Sequence, residues 1–222
     1  MKLATFDIKA TGRRTIGGFI DGSYVDLHAL SDTVLPADMI QFLTAGEQAK
    51  DKARSLLEDA EKNLKGADAK TLSANGNRYA YAADEIDLQA PIPQPGKIVH
   101  TSCNFDAHLD ELTTWEDSEW QSHNWKDFHF EHPTGFLQAG SSVCAHDSGV
   151  SIPKFTKQLD FEIEIGIVIG KEAFEVSSED AMDYVAGYTI FNDLSARDIQ
   201  AREHSNMVIL MGKSFKNSCP LG

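Results

Sequence analysis

The alternation of apolar and polar positions is clearest in DFEIEIGIVIG, the stretch from Asp160 to Gly170. Its odd-numbered positions are Phe or Ile, and its even-numbered positions begin with the acids Asp160, Glu162 and Glu164. A period of two predicts a β-strand with one apolar and one acidic face. We expect the apolar face to lie in the protein core. The acidic face is either solvated or part of a binding site.

Other patterns predict the remaining elements of the first half of the chain. Residues 1–30 contain short strands, and FIDGSYVDL places Asp21-Gly22 between two apolar runs, which favours a β-hairpin. Residues 37–65 have a helical pattern, with Gly66 suited to the helix end. The proline-rich APIPQPGK then indicates a linker. We therefore expect a small N-terminal α+β domain over 1–90 and a second domain over 91–222.

The second half combines strands with a long connecting segment. Strands are predicted in KIVHTSCNF and YTIFNDLS, and helices from about 178 to 185, ended by Gly187, and over ARDIQARE, capped by Ser195. Between them, Trp115, Trp120 and Trp125 recur every five residues, which fits neither a helix nor a strand. We interpret this segment as a partly helical lid or binding loop. An ordinary surface loop is the alternative.

Composition narrows the class of protein. The 222 residues are 41% hydrophobic and 24% charged, which is typical of a globular chain. A net charge of −14 disfavours a general nucleic-acid binder. No apolar run reaches the roughly 18 residues of a membrane span, and the first residues lack a signal core, so we expect a soluble cytoplasmic protein. The cysteines, three in number and without a close pair, indicate reduced thiols.

The acidic side chains are the most informative candidates for a functional site. Glu162 and Glu164 lie about 6.6 Å apart along one strand face, and Asp193 follows at the end of a later strand. Like charges gathered without compensation repel one another, and a divalent cation removes that repulsion. Oxygen ligands favour Mg²⁺, Mn²⁺ or Ca²⁺ over Zn²⁺. Asp160 shares the face but lies nearer the strand start, outside the predicted ligand set. On pattern alone, a solvated acidic face explains the same residues.

Four segments carry a resemblance to a known family: NFDAHLDE, KQLDFEIEIGIVIGKEA, EDAMDYVAGYTIFNDLSARDIQ and GKSFKNSCPLG. In this order they closely resemble the fumarylacetoacetate hydrolase family, from about Lys97 to Gly222. The resemblance implies an α+β, mainly β fold with a rolled β catalytic domain, a carboxylate-held Mg²⁺ or Mn²⁺ (with Ca²⁺ as a substitute) and a homodimer. Most members cleave C–C bonds in acylpyruvates and related 1,3-dicarbonyl acids. Others isomerise, hydrate or decarboxylate similar 2-oxo acids.

The resemblance also assigns expected roles to individual residues. The metal ligands match Glu162, Glu164 and Asp193, and the groups that meet the substrate match Lys213 and Gln200. A His–Glu pair matches His108 and Glu111, which share a face if their segment is helical. The implied hypothesis is that His108 activates water for attack on an acylpyruvate-like substrate, while Lys213 stabilises oxyanion charge.

Three departures from the family pattern affect these expectations. Gln138 stands in GFLQAG where many relatives carry a lysine, and the tryptophan-rich segment, which also holds His123, His129 and His132, is long. The chain stops at CPLG where relatives continue with further strands, so a molecule of this length would have an incomplete roll. An isomerase, hydratase or decarboxylase, or a non-catalytic metal-binding member, therefore stays an alternative. Arg197 either orients Asp193 or lies exposed on its helix.

Overall fold

A computed structural model of the protein describes residues 1–65, 67–103, 105–116, 118–122, 131–206 and 208–222. The strands β1 to β15 in that part of the chain are Leu3–Ile8, Arg13–Ile20, Ser23–Asp26, Ser73–Ala74, Asn77–Arg78, Ala80–Ala82, Ile86–Gln89, Ile98–Thr101, Gly135–Gln138, Val143–Cys144, Leu159–Asp160, Ile163–Ile169, Val185–Asn192, Ser195–Ala196 and Cys219–Pro220. The helices α1 to α6 are Leu27–Leu30, Met39–Thr44, Glu47–Leu64, Asp106–Leu112, Ser118–Gln121 and Arg197–His204.

The N-terminal sheet is antiparallel throughout, with the strand order β6-β3-β2-β1-β7. The hairpin predicted at Asp21-Gly22 is confirmed, and both residues have positive φ, 47° and 80°. Two consecutive positive φ angles match a type I′ turn, whose twist fits the flanking strands. The sheet therefore follows from local turn chemistry and alternation.

The predicted helical region of residues 37–65 forms two helices, α2 and α3. They are separated at Ala45 and Gly46, where Gly46 has a φ of 86° that favours glycine. Apolar side chains from both helices, among them Phe42 and Leu57, are buried in one cluster with Ile16 of the sheet. Gly66, the predicted helix stop, lies outside the described residues. The apolar face of these helices is thus held by packing against the sheet, whereas their other face is largely charged.

Short strands in pairs form the second half of the fold. β8 pairs with β9, β11 with β14 and β12 with β13 in antiparallel fashion, while β10 and β15 are parallel. A small core of Ala90, Phe191, Cys219 and Leu221 joins the linker to β13 and β15. The α+β, mainly β fold class is confirmed. The domain boundary at residue 90 stays a prediction.

Two local predictions near this core are wrong. The helix expected from 178 to 185 is a single 3-10 turn, Ala181–Tyr184, and Gly187 lies inside β13. Ser195 does not cap the following helix, because it pairs with Asp160 in β14 and leaves Ala196 at the cap position. Its hydroxyl instead accepts a hydrogen bond from Lys213 Nζ. A tertiary contact has replaced the local one.

The apolar face of the acidic strand is not in the core, contrary to our expectation. Ile163, Ile165, Ile167 and Ile169 of β12 are all exposed, Ile165 by 75%, together with Tyr188 and Ile190 of the paired strand β13. We call these six side chains the exposed hairpin face. Alternation places a row of side chains on one face, but no described element packs over this one. The period of two was therefore right, but the burial was wrong, and the predicted strand is interrupted at Phe161 and Glu162, between β11 and β12.

We expect the 222-residue chain to self-associate through the exposed hairpin face, because contiguous apolar patches of this kind favour association. Ile165→Lys should shift the protein toward monomer in light scattering and reduce the fluorescence of a hydrophobic dye. Val34→Lys, at another exposed apolar side chain, serves as the matched control. A monomeric wild-type chain that binds no dye would contradict the expectation.

Two further findings concern the whole described chain. Cys103, Cys144 and Cys219 are free thiols, as predicted. Among the described helices, none has the length and apolar character needed to cross a membrane.

Candidate active site

One cavity of about 390 Å³ brings the candidate residues together. It lies between β8, β12, α4, α6 and the loop that leads to Lys213. Its lining includes all seven residues to which the family resemblance assigns roles, namely His108, Glu111, Glu162, Glu164, Asp193, Gln200 and Lys213. Aromatic side chains complete one side of the cavity, with Phe105, Phe136 and Phe161 among the lining residues. Residues separated by more than 100 positions in the sequence therefore share one site.

The ammonium group of Lys213 is the centre of this site. Its Nζ lies 2.6 Å from Glu162 Oε2, 2.6 Å from Asp193 Oδ2 and 2.6 Å from Ser195 Oγ. The side chain is only 2% exposed, so all three ammonium protons are used inside the protein. Asp193 N–H also donates to the Glu162 carbonyl at 2.8 Å, which places the two carboxylates side by side.

Arg197 holds the other side of the acidic cluster. Its Nη1 lies 2.5 Å from Glu162 Oε1, and its Nη2 donates to Asp160 Oδ2 at 2.8 Å. Nη1 also donates to Gln200 Oε1 at 3.1 Å. Both predictions for Arg197 were wrong. Its side chain is buried rather than exposed. It binds Glu162 and Asp160 rather than Asp193. The arginine fixes the end of β11 and the residues before β12 against α6.

The two carboxylates that share Lys213 have pKa values shifted in opposite directions. Burial raises the pKa of Glu162, but the charges of Lys213 and Arg197 together outweigh burial and hold that pKa at about 2. Burial also raises the pKa of Asp193, and there Lys213 and His100 compensate only in part. Glu162 has two cations in direct contact and Asp193 shares one, which explains the difference.

The low pKa of Glu162 predicts a pH-dependent contribution to stability. Its ionised form is favoured by folding, so the stabilisation is complete above the ordinary carboxyl value of 4.5 and is lost as pH falls toward about 2. Glu162→Gln should lower the free energy of unfolding by about 3 kcal/mol at pH 7, and by less at pH 3. Urea unfolding at both pH values measures this. Glu172→Gln, at an exposed position, should show no difference at either pH; a pH-independent loss in Glu162→Gln would contradict the assignment.

Glu164 is the carboxylate that the protein leaves uncompensated. Burial and the neighbouring charges of Glu162 and Asp193 raise its pKa. Within the described part of the chain it forms no hydrogen bond or ion pair, whereas Asp160, Glu162 and Asp193 all contact cations. Four carboxylates thus face two cationic side chains, an excess of two negative charges. A divalent cation is the simplest neutralising partner.

The donor set fits a hard divalent metal ion. Glu162, Glu164 and Asp193 offer carboxylate oxygens, the ligands preferred by Mg²⁺ and Mn²⁺. Across the described ranges, however, no three His, Cys, Asp or Glu side chains converge closely enough to share one ion. The Lys213 ammonium occupies the space between two of the three carboxylates. The charge and donor chemistry fit, and metal binding would require these side chains to rearrange.

The His–Glu pair lies on α4 at the mouth of the cavity. His108 Nδ1 is 3.5 Å from Glu111 Oε2, at the limit of hydrogen-bond distance. Trp115 meets the His108 ring edge-on at 6.3 Å and lies 4.8 Å from the Arg197 guanidinium, as in a cation–π contact. The tryptophan-rich segment therefore touches both the pair and the acidic cluster. Trp125, His123 and His129 lie outside the described residues.

His100 is a site residue that the sequence analysis missed. Its ring stacks on Phe136 at 4.4 Å, its Nε2 lies 3.0 Å from Gln138 Oε1, and its Nδ1 lies 3.5 Å from Asp193 Oδ2. Gln138 in turn donates from Nε2 to the Lys213 carbonyl at 2.6 Å. Gln138 is thus buried behind the cavity rather than facing a substrate. The sequence feature that could have identified His100 as a site residue is its place within the apolar strand KIVHT.

The chain combines a mainly β fold with a carboxylate-lined cavity. Comparison with known proteins identifies its family. Residues 97–222 match the family described as Fumarylacetoacetate (FAA) hydrolase C-terminal. The oxaloacetate tautomerase YisK of Bacillus subtilis is 33% identical over 230 residues, which cover the whole chain and 68% of that protein. The chain belongs to the fumarylacetoacetate hydrolase family.

Other comparisons extend this relationship. The mitochondrial oxaloacetate tautomerase fahd2 of Xenopus laevis is 32% identical over 201 residues, which cover 90% of the chain and 53% of the relative. The structure of fumarylacetoacetate hydrolase from Exiguobacterium antarcticum shares the fold, with a TM-score of 0.63, 22% identity and coverage of the whole chain and 65% of that structure. The chain thus spans about half to two thirds of the length of these proteins.

Proposed function

We propose that the chain carries the active site of a divalent-metal-dependent enzyme that interconverts the enol and keto forms of a 2-oxo acid such as oxaloacetate. The observation that carries this proposal is the buried Lys213 ammonium, held by carboxylates at the wall of the cavity. Enol–keto conversion passes through an enolate, and a fixed cation stabilises the charge on its oxygen. The names of the two relatives described above, both oxaloacetate tautomerases, support the same reaction.

The reaction requires one proton to leave the enol oxygen and one to reach C3. The Lys213 ammonium, at the wall of the cavity, would offset the negative charge that develops on the oxygen, and Ser195 would help to keep that ammonium in place. His108 lies within the cavity lining and is suited to move the C3 proton, with Glu111 beside it. Gln200, which lines the cavity, would bind the substrate carboxylate through its amide N–H groups. When held by Glu162, Glu164 and Asp193, Mg²⁺ or Mn²⁺ would supply further charge stabilisation for the 2-oxo acid oxygens.

The test follows the ultraviolet absorbance of enol-oxaloacetate with the purified chain, in Mn²⁺, in Mg²⁺ and in chelator. The proposal expects metal-dependent acceleration of enol loss, no pyruvate release and unchanged total oxaloacetate. Protein that is saturated with either metal and gives no acceleration over buffer would overturn it. The control is the same chain after thermal denaturation.

Hydrolysis of an acylpyruvate is the second candidate, and the His108–Glu111 pair favours it. His108 would take a proton from water, the hydroxide would add to the distal carbonyl, and the C3–C4 bond would break. The bonding electrons would leave on the pyruvate enolate, which takes up a proton. Products separate the two candidates, because hydrolysis yields two fragments and tautomerisation one. Metal binding without turnover of any 2-oxo acid would instead indicate a non-catalytic member.

We also propose that the chain forms a homodimer, as the family resemblance implies. The exposed hairpin face supports this, since a two-fold dimer joins the same apolar patch on both copies. Sedimentation of the wild-type chain and of Ile165→Lys tests the proposal: a dimer that the substitution leaves intact would place the interface elsewhere.

A further inference from the structure

Glu203, in the last turn of α6, binds three consecutive backbone amides of the loop that precedes Lys213. Its Oε2 accepts hydrogen bonds from Leu210 N and Gly212 N at 3.0 Å each, and its Oε1 accepts from Met211 N at 2.6 Å. Consecutive amides that point at one place usually surround a bound anion. Here the anion is the protein's own carboxylate, which charge assistance makes a strong acceptor.

The backbone carbonyl of Glu203 also binds the N-terminal end of the same loop. It accepts from Asn206 N at 2.9 Å and from Val208 N at 3.1 Å. Apolar packing contributes little here, because Val208, Leu210 and Met211 are each about half exposed. Hydrogen bonds to one residue therefore hold a loop that burial does not.

Lys213 depends on this loop for its position. Gly212 O accepts from Ala196 N at 2.8 Å, and Lys213 N donates to Leu210 O at 3.2 Å. A Cβ at Gly212 would lie 3.0 Å from the backbone of Gln200, so the loop lies directly against α6. The helix that carries Gln200 is thus joined by Glu203 to the loop that carries the ammonium. Glu203 itself is absent from the cavity lining.

We propose that Glu203 is a positioning residue, which sets the Lys213 ammonium against Glu162 and Asp193 by ordering the loop of residues 208–212. Its effect on turnover rests on the proposed function, because it assumes that Lys213 acts on the substrate. Its effect on the loop and on the lysine does not.

The test compares the wild-type chain with Glu203→Ala, Glu203→Gln and the control Glu172→Ala, whose side chain is exposed. Two measurements need no substrate: hydrogen exchange of the amides of residues 210–212, and acylation of Lys213 followed by mass spectrometry. Glu203→Ala should speed both by about tenfold or more, since three charge-assisted hydrogen bonds are lost. Glu203→Gln retains one acceptor oxygen and should fall in between, and the control should match wild type.

Turnover supplies the third measurement. Glu203→Ala should lower kcat by about 100-fold with a smaller change in KM, because a misplaced group affects the chemical step more than binding. Partial recovery in Glu203→Gln distinguishes positioning from general loss of structure. If Glu203→Ala fails to fold, the isosteric Glu203→Gln carries the test.

The outcomes separate the two proposals. Folded variants with wild-type exchange and wild-type Lys213 acylation would overturn the role of Glu203. Faster exchange and acylation in variants of a chain that turns over no 2-oxo acid would support that role and overturn the proposed function instead. A loss of kcat without any change at residues 210–213 would also overturn positioning.

Discussion

Lys213→Met should lower turnover by about 100- to 1000-fold and the free energy of unfolding by about 3–5 kcal/mol. Two mechanisms act together. In the proposed reaction the ammonium supplies the positive charge that offsets the enolate, and its removal leaves Glu162 and Asp193 without their shared cation. Methionine has a similar length, so loss of volume contributes little. Kinetics with enol-oxaloacetate and urea unfolding at pH 7 measure the two effects.

Lys213→Arg is the matched control for charge. A guanidinium keeps the positive charge but cannot place one nitrogen 2.6 Å from three different oxygens, so stability should largely return while turnover stays low. Mn²⁺ binding to Lys213→Met should be no weaker than in wild type, because the variant has one positive charge fewer. Turnover at the wild-type rate in Lys213→Met would refute the role of the ammonium.

Glu164→Gln should have opposite effects on the metal-free and the metal-bound chain. Burial and the like charges of Glu162 and Asp193 raise the pKa of Glu164, so folding disfavours its ionised form, and the metal-free wild type gains stability as pH falls through that raised pKa. The variant should therefore be more stable than wild type at pH 7 in chelator. It should also lose about 100-fold or more in Mn²⁺ affinity, since a proposed ligand is gone.

Thermal unfolding with chelator and with Mn²⁺ checks both effects in one experiment. Wild type should show a rise in Tm with Mn²⁺, and Glu164→Gln should show a higher Tm in chelator and little further rise. Glu172→Gln should follow wild type in both conditions. An intact Mn²⁺-dependent rise in Glu164→Gln would remove Glu164 from the metal site.

The elements of this protein were predictable wherever a short pattern determines them. The alternation in β12 and the Asp21-Gly22 turn appear in the structure as predicted, since strand period and turn geometry are properties of a few adjacent residues. Family segments also led to the residues that line the cavity. Where the helix predicted near residue 180 fails, Ser177 Oγ still accepts a hydrogen bond from Asp180 N, as a helix-capping serine does.

Burial and partners were not predictable from the same patterns. The isoleucine row of β12 was predicted to lie in the core, but it is exposed because no described element packs over it. Serine is a favoured helix-capping residue, but Ser195 pairs in a strand and binds Lys213. Arg197 lies four residues from Asp193, yet the register of β11 with β14 directs it to Asp160 and Glu162. In each case a long-range contact overrides a local preference.

The sequence by itself determined the periods, the turns, the excess of acids and the family. Only the tertiary structure decided that Lys213 lies between Glu162 and Asp193, that Glu164 is left uncompensated, and that Glu203 holds the loop before the lysine. The physical reason is distance along the chain. A period is set by neighbouring residues, whereas Lys213 and Glu162 are 51 positions apart and meet only because strands and a loop from separate segments pack around one cavity.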